Sequence, residues 1–139
     1  MARRANGEYV VVWRSFTGLD ARWDVFARRF TSAGVPIGGE FRVNSVTTGD
    51  QQGPVVGADG SGAFIVAWTD QGVMARRYDA NANPVGAEFQ LNVYTTAGGP
   101  SLAVQDDGSF IAAWRSYYQD GFQAGVYARR FDTAGAPLG

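Results

Sequence analysis

Three residue types are missing from this 139-residue sequence: cysteine, histidine and lysine. Without cysteine there is no disulfide, no thiolate nucleophile and no zinc–thiolate site. Without histidine there is no imidazole base, no His-containing triad and no histidine metal ligand. Without lysine no enzyme-bound Schiff base forms, and all twelve cations are arginines. Charge is also sparse. Charged residues make up 18% of the chain, with a formal net charge of −1 and a pI near 5.3, which supplies no drive toward nucleic acid or an anionic bilayer. Long apolar runs are absent near the start. The run Tyr9 to Trp13 is shorter than a signal-peptide core and far short of the roughly 20 residues that span a membrane. The stretch therefore reads as a chain without a signal peptide and without membrane insertion, although a longer parent protein is free to carry a signal that this stretch lacks.

What is abundant points to strands and turns. Nineteen glycines supply turn conformations, while nine Phe, six Tyr and four Trp supply broad apolar contacts. The order of these residues repeats. Gly7-Glu8-Tyr9-Val10-Val11-Val12-Trp13, Gly62-Ala63-Phe64-Ile65-Val66-Ala67-Trp68 and Gly108-Ser109-Phe110-Ile111-Ala112-Ala113-Trp114 are three versions of one apolar run. Each is followed by a second shared run, Val25–Phe30, Val73–Tyr78 and Val126–Phe131, built around Ala-Arg-Arg. A Pro-x-Gly turn comes next at Pro36, Pro84 and Pro137. Two copies continue into Glu40-Phe41-Arg42-Val43-Asn44 and Glu88-Phe89-Gln90-Leu91-Asn92, and two carry Gly53-Pro54 and Gly99-Pro100 ahead of the tryptophan run. The period, about 46 to 55 residues between tryptophans, lies in the range of solenoids and propellers.

Each run predicts a strand, because it is short, rich in Val, Ile and aromatics, and bounded by Gly, Asp and Asn. The tryptophan run is apolar on both alternating faces, as a strand between two packed layers requires. The Arg-Arg run is more amphipathic and belongs nearer the outside. Four strands per unit follow: an inner one around Pro54–Ala58, then Ala63–Thr69, Val73–Asp79 and, at the rim, Glu88–Asn92. The fold class expected is all-β, a β-propeller of four-stranded antiparallel blades. A β-sandwich or an open β-solenoid satisfies the same strand pattern. The units are approximately 1–52, incomplete at its start, 53–98, and 99–139, incomplete at its end. The whole chain is one repeat array.

These motifs carry a resemblance. The sequence G-x-F-x-x-x-W, V-Y-A-R-R-F-D, A-G-x-P-x-G, E-F-x-V-N, T-T-G-D-Q and G-P-x-V is found here at Phe110–Trp114, Val126–Asp132, Gly34–Gly38, Glu40–Asn44, Thr47–Gln51 and Gly53–Val56. It resembles the Trp-containing β-propeller-type repeat of large secreted or surface-associated bacterial proteins, which often also contain calcium-binding or adhesion-type modules. The resemblance covers essentially the whole chain and implies export, a secreted or cell-surface location, and a structural or binding role. It assigns no catalytic residue. The middle unit departs from it after Trp68, where the segment shortens to Thr69-Asp70-Gln71-Gly72.

Fewer than three whole blades cannot close a ring, since closed propellers have about four to eight. Self-association of identical chains is the expected remedy, most simply a homo-dimer of five or six blades. The alternative is an excised piece of a larger ring or array.

Candidate chemistry is thin. Trp13, Trp68 and Trp114 form a set that sugar stacking invites, but recurrence on a doubly apolar strand favours a structural repeat core. Adjacent arginines on a strand point to opposite faces, so the Arg-Arg pairs form no anion clamp. Ion pairing of Arg77 with Asp79 and of Arg130 with Asp132, or stem packing, is the favoured reading. Asp59-Gly60-Ser61-Gly62 and Asp106-Asp107-Gly108-Ser109 lack the further acidic ligands of a twelve-residue calcium loop and read as hairpin turns. Gly49-Asp50-Gln51-Gln52-Gly53 lacks the lysine and following helix of a phosphate-binding loop. No metal site and no cofactor are expected.

The loops that vary between units are more informative. From Trp to the Ala of the Arg-Arg run the first and third units take fourteen positions, the middle one seven. Phe16, Asp20, Arg22, Trp23 and Asp24 occupy the first long loop and its flanks; Tyr117, Tyr118, Gln119, Asp120 and Phe122 occupy the second. Aromatic faces beside Asp, Arg and Gln are the mixture a carbohydrate or polar-peptide site uses. Core capping or an oligomer contact uses the same residues equally well. The expectation is therefore a non-catalytic repeat module, serving as a self-associating scaffold or ligand-binding surface. The second reading is a lectin-like module that binds carbohydrate through the aromatic loops.

Overall fold

The structure is a computed structural model that describes residues 1–17, 22–118, 121 and 123–139. Twelve strands and no helix occur among these residues: β1 (Ala2–Arg3), β2 (Tyr9–Phe16), β3 (Trp23–Phe30), β4 (Pro36–Arg42), β5 (Gln52–Ala58), β6 (Phe64–Thr69), β7 (Val73–Tyr78), β8 (Pro84–Gln90), β9 (Ala97–Val104), β10 (Phe110–Ser116), β11 (Gly125–Phe131) and β12 (Pro137–Leu138). They form three four-stranded antiparallel sheets, β1 to β4, β5 to β8 and β9 to β12, each paired in chain order. The chain is therefore all-β. The first and last strands are two residues long; β1 pairs Ala2 with Val10 and Arg3 with Tyr9, and β12 pairs Leu138 with Arg130. The three sheets are not closed into a ring.

The rim strand starts earlier than the sequence pattern suggests. β8 opens at Pro84, paired with Tyr78, and the reversal falls on Asp79–Asn83. The Asp79 carboxylate accepts the backbone N–H groups of Asn81 and Asn83, both at 2.8 Å, and Ala82 adopts a left-handed φ of 68°. This side-chain turn does the work that the Pro-x-Gly motif seemed to offer. The proline sits at the strand's first residue, where a missing N–H costs little. The glycine two residues on, Gly86 at φ 81°, lies where the β7–β8 register shifts, so it serves a bulge rather than a turn.

The Glu-Phe-x-Val-Asn motif closes the rim with a recurring side-chain bond. Asn44 Oδ1 accepts the Val25 N–H at 2.8 Å, and Asn92 Oδ1 accepts the Val73 N–H at 2.7 Å. Each asparagine thus satisfies a backbone donor near the start of the neighbouring strand, Val25 being third in β3 and Val73 first in β7.

Packing between sheets follows the strand period of two. Phe64, Val66 and Trp68 of β6 join Val10, Val25, Ala27 and Val43 in a cluster between the first and second sheets. Ile65 and Ala67, on the opposite face of β6, join Phe110, Ala112, Trp114 and Phe131 between the second and third. One strand therefore serves two cores, which is why its sequence is apolar throughout. Each large buried aliphatic or aromatic side chain contributes about 1.5–3 kcal/mol relative to exposure. β5 and β9 approach closely at Gly57, where a Cβ atom would lie 2.4 Å from Cγ2 of Val104. Only glycine leaves room for β9 there.

Candidate functional site

Two surfaces are candidates: the loop end of the sheets, and the bare faces of the first and third sheets.

At the loop end, β2 and β3 run together to the pair Phe16↔Trp23. Their rings meet edge to face with centroids 5.5 Å apart, and the Arg14 guanidinium lies 4.6 Å from the Trp23 ring centroid. The segment between β4 and β5, together with the first residue of β5, buttresses this cluster. The Trp23 N–H donates to the Asp50 carboxylate at 3.2 Å, the Trp23 carbonyl accepts the Gln51 N–H at 2.8 Å, and Arg14 donates to Gln52 Oε1 at 3.4 Å. Phe16 is exposed, and Arg22 is exposed with its carbonyl bonded to the Thr17 N–H. Asp24 differs. It is buried, accepts from Asn44 Nδ2 at 2.6 Å, and faces Arg42 at 3.9 Å. Its carboxylate anchors the asparagine that closes β3 and does not present itself to solvent.

The second long loop repeats part of this plan. Arg115 follows Trp114 as Arg14 follows Trp13, and its guanidinium lies 5.0 Å from the Tyr117 ring centroid. Tyr117 exchanges bonds with Thr96: its N–H donates to the Thr96 carbonyl at 3.1 Å, and its carbonyl accepts the Thr96 hydroxyl at 3.0 Å. Tyr118 is exposed and holds a left-handed φ of 61°, rare for a bulky side chain. Gln52, Thr69, Thr96, Arg115 and Tyr117 line one open cleft. Asp20, Gln119, Asp120 and Phe122 lie outside the described residues. Arg14, Gln52 and Arg115 belong to this surface although the loop comparison did not single them out. Their recurrence immediately after the repeat tryptophan was the available signal for the two arginines.

The three repeat tryptophans face the same way and meet different surroundings. Trp68 and Trp114 are buried, each against the preceding sheet. Trp68 Nε1 donates to Gln51 Oε1 at 2.8 Å, whereas buried Trp114 Nε1 has no hydrogen-bond partner among the described residues. From Asn92 to Gly99 the chain is two residues shorter than from Asn44 to Gly53 and has no counterpart of the Asp50-Gln51 pair. Trp13 belongs to neither buried cluster of the described residues. It stacks on Phe26 with centroids 6.4 Å apart and stays half-buried.

The arginine pairs bond carbonyls rather than the aspartates expected from sequence. Arg77 donates to the Thr133 carbonyl, Arg29 to the Ala80 carbonyl at 2.8 Å, and Arg76 to the Val43 carbonyl at 3.0 Å, all between sheets. Asp79 and Asp132 instead accept N–H groups of their own turns. The Asn83 side chain and backbone hold the Asp79 carboxyl below its usual range. The Asp-Gly turns are similar: Asp59 and Asp107 accept from Ser61 and Ser109, and the Ser109 hydroxyl and N–H lower the Asp107 pKa.

The end faces are defined by equivalence. Val25 and Val73 are fully buried, while Val126 at the same position of the third sheet is 83% exposed. Val10, Ile65 and Ile111 run 0%, 4% and 39% in the same order. On the opposite side, Met1, Tyr9, Val11, Phe30 and Gly34 line an apolar cleft on the first sheet. The counterparts of Tyr9, Val11 and Phe30 in the second sheet, Phe64, Val66 and Tyr78, are buried between sheets. No protein-family profile, curated protein or solved structure matches this chain.

Proposed function

We propose that this chain is a non-catalytic β-propeller-type repeat module of an exported protein, whose bare terminal sheet faces make it a self-associating scaffold. The carrying observation is the contrast between Val126, 83% exposed, and its fully buried equivalents Val25 and Val73. The same apolar positions that seal two internal interfaces are left uncovered at the ends, and open apolar faces favour burial against a complementary surface. The use of Asp24, Asp59, Asp79, Asp107 and Asp132 in local hydrogen bonding supports a structural rather than acid–base role for these carboxylates. Export rests on the resemblance of the repeat motif. Multi-angle light scattering of the 139-residue chain at micromolar concentration tests the reading. A mass of two chains is expected, and a folded monomer refutes it.

A second reading has its own support. Arg14 over Trp23 with Phe16 beside it, and Arg115 over Tyr117, place aromatic faces and charged donors together on one end of the molecule, the combination that lectin-like sites use for sugars. A glycan array tests it. Broad silence, with assembly unchanged in Trp23→Ala and Tyr118→Ala, would sink the carbohydrate reading.

A further inference from the structure

The direction and closure of the association follow from contacts between consecutive sheets, one of which recurs at both interfaces; this rests on the self-association reading above. The first is an arginine latch. Arg29 of β3 donates to the Ala80 carbonyl in the β7–β8 turn, and Arg77 of β7 donates to the Thr133 carbonyl in the β11–β12 turn. These are one contact, one repeat apart. Each donor is the second arginine of its pair, and each acceptor is the residue after the first turn position, as the matched turn bonds Thr31–Val35, Asp79–Asn83 and Asp132–Ala136 establish. Arg130 is the next donor in the series and bonds no carbonyl among the described residues; Ser32 is the corresponding acceptor on the first sheet and receives no such donor.

The second feature, present once, joins the turns of the second and third sheets at the opposite edge. The Gly60 N–H donates to the Asp106 carbonyl at 3.2 Å, and a Cβ on Gly60 would stand 3.3 Å from that of Asp106. The turn bonds Arg4–Glu8, Asp59–Ala63 and Gln105–Ser109 make Ala5, Gly60 and Asp106 equivalent. The third feature is the pair of apolar faces. Ile111, Val126 and Ala128 repeat Ile65, Val73 and Ala75, while Tyr9, Val11, Trp13 and Phe30 repeat Phe110, Ala112, Trp114 and Phe131. The outward face of the third sheet is thus one half of the internal interface, and that of the first sheet is the other.

We infer that two copies of this chain close head to tail, with the third sheet of each seated on the first sheet of the other, Arg130 donating to the Ser32 carbonyl of the second copy, and Asp106 lying against its Ala5. The two contacts are equivalent and close the pair, and six sheets fall within the roughly four to eight of closed rings. A face-to-face arrangement of like ends sets Arg130 against its own copy and matches no interface within the chain.

The absence of cysteine makes the arrangement testable by cross-linking. The internal Cβ spacing at Gly60 and Asp106 is close to what a disulfide needs, about 3.5–4.5 Å. The double variant Ala5→Cys with Asp106→Cys, oxidised and run without reductant, is expected as a covalent two-chain band that reductant abolishes. Each single variant is expected to stay a one-chain band. Self-linking of a single variant, a link within one chain, or an unlinked double variant that still scatters as a dimer overturns the head-to-tail arrangement. Masses of three or more chains overturn closure at two, whereas a monomer overturns the self-association reading itself. Arg130→Ala, at an exposed site where circular dichroism checks folding, is expected to raise the dissociation constant about a hundredfold, tenfold at each of two contacts. An unchanged constant in a folded variant removes the latch.

Discussion

The hydrogen bond between Trp68 Nε1 and Gln51 Oε1 gives the sharpest test of how the repeat tryptophan holds two sheets together. Both residues are buried, with Trp68 1% and Gln51 1% exposed, so water cannot replace a lost partner. Gln51→Leu keeps the volume approximately and strands the indole N–H, at a cost of about 1–3 kcal/mol. The Gln51 side chain makes one further bond, Nε2 to the Thr48 carbonyl at 3.3 Å, so its loss adds little. Trp68→Phe removes the donor but also indole volume, with a further packing cost. When both changes are made, no polar group is stranded, and the double variant should be more stable than the sum of the singles by about 1–2 kcal/mol. Urea unfolding at one fixed protein concentration measures this coupling, since association makes stability concentration-dependent. A coupling below about 0.5 kcal/mol would refute the claim that this bond is an energetic tie. Trp114→Phe is the internal control. Its buried Nε1 has no partner among the described residues, so the exchange should cost less than Trp68→Phe; equal costs would count against the same reasoning.

Other perturbations follow from the same contacts. Burial pushes the Tyr78 pKa up to about 12 from 10.0, so stability should be intact below pH 10 and fall between about pH 10 and 12; alkaline melting of Tyr78→Phe should lack that component. The Asp79 carboxyl, held low by Asn83, contributes stability present above the usual carboxylate range and lost as pH falls through its depressed value. Asp79→Ala should therefore lower the midpoint at neutral pH and flatten the acid limb, and unchanged acid melting would refute the turn's role. Gly57→Val drives a side chain into Val104, where a Cβ alone stands 2.4 Å from Cγ2, and should cost about 1–3 kcal/mol in denaturant unfolding.

Strand positions were legible from sequence because each run carries its own period. The alternation at Phe64–Trp68 is a local property, and the same pattern recurs at Tyr9–Trp13 and Phe110–Trp114. The rim strands were less legible. Pro84 and Gly86 look like a turn, yet the reversal is made by Asp79 accepting two N–H groups downstream. The candidate loop site was visible only as a length difference with aromatic content. Nothing local distinguishes Asp24, buried under Asn44, from an exposed loop carboxylate, because its burial is set by a residue twenty positions away.

By itself the sequence determined the all-β class, the repeat, the location of most strands and the chemistry excluded by missing Cys, His and Lys, since these depend on composition and on neighbours along the chain. Tertiary structure decided which copies of one motif are used. Val25, Val73 and Val126 share a motif position, but the first two lie beneath a following sheet and the third does not. Arg29 and Arg77 find carbonyls one sheet away, and Arg130 finds none among the described residues. Identical side chains acquire different roles because inter-sheet packing, unlike strand period, depends on what lies across the interface.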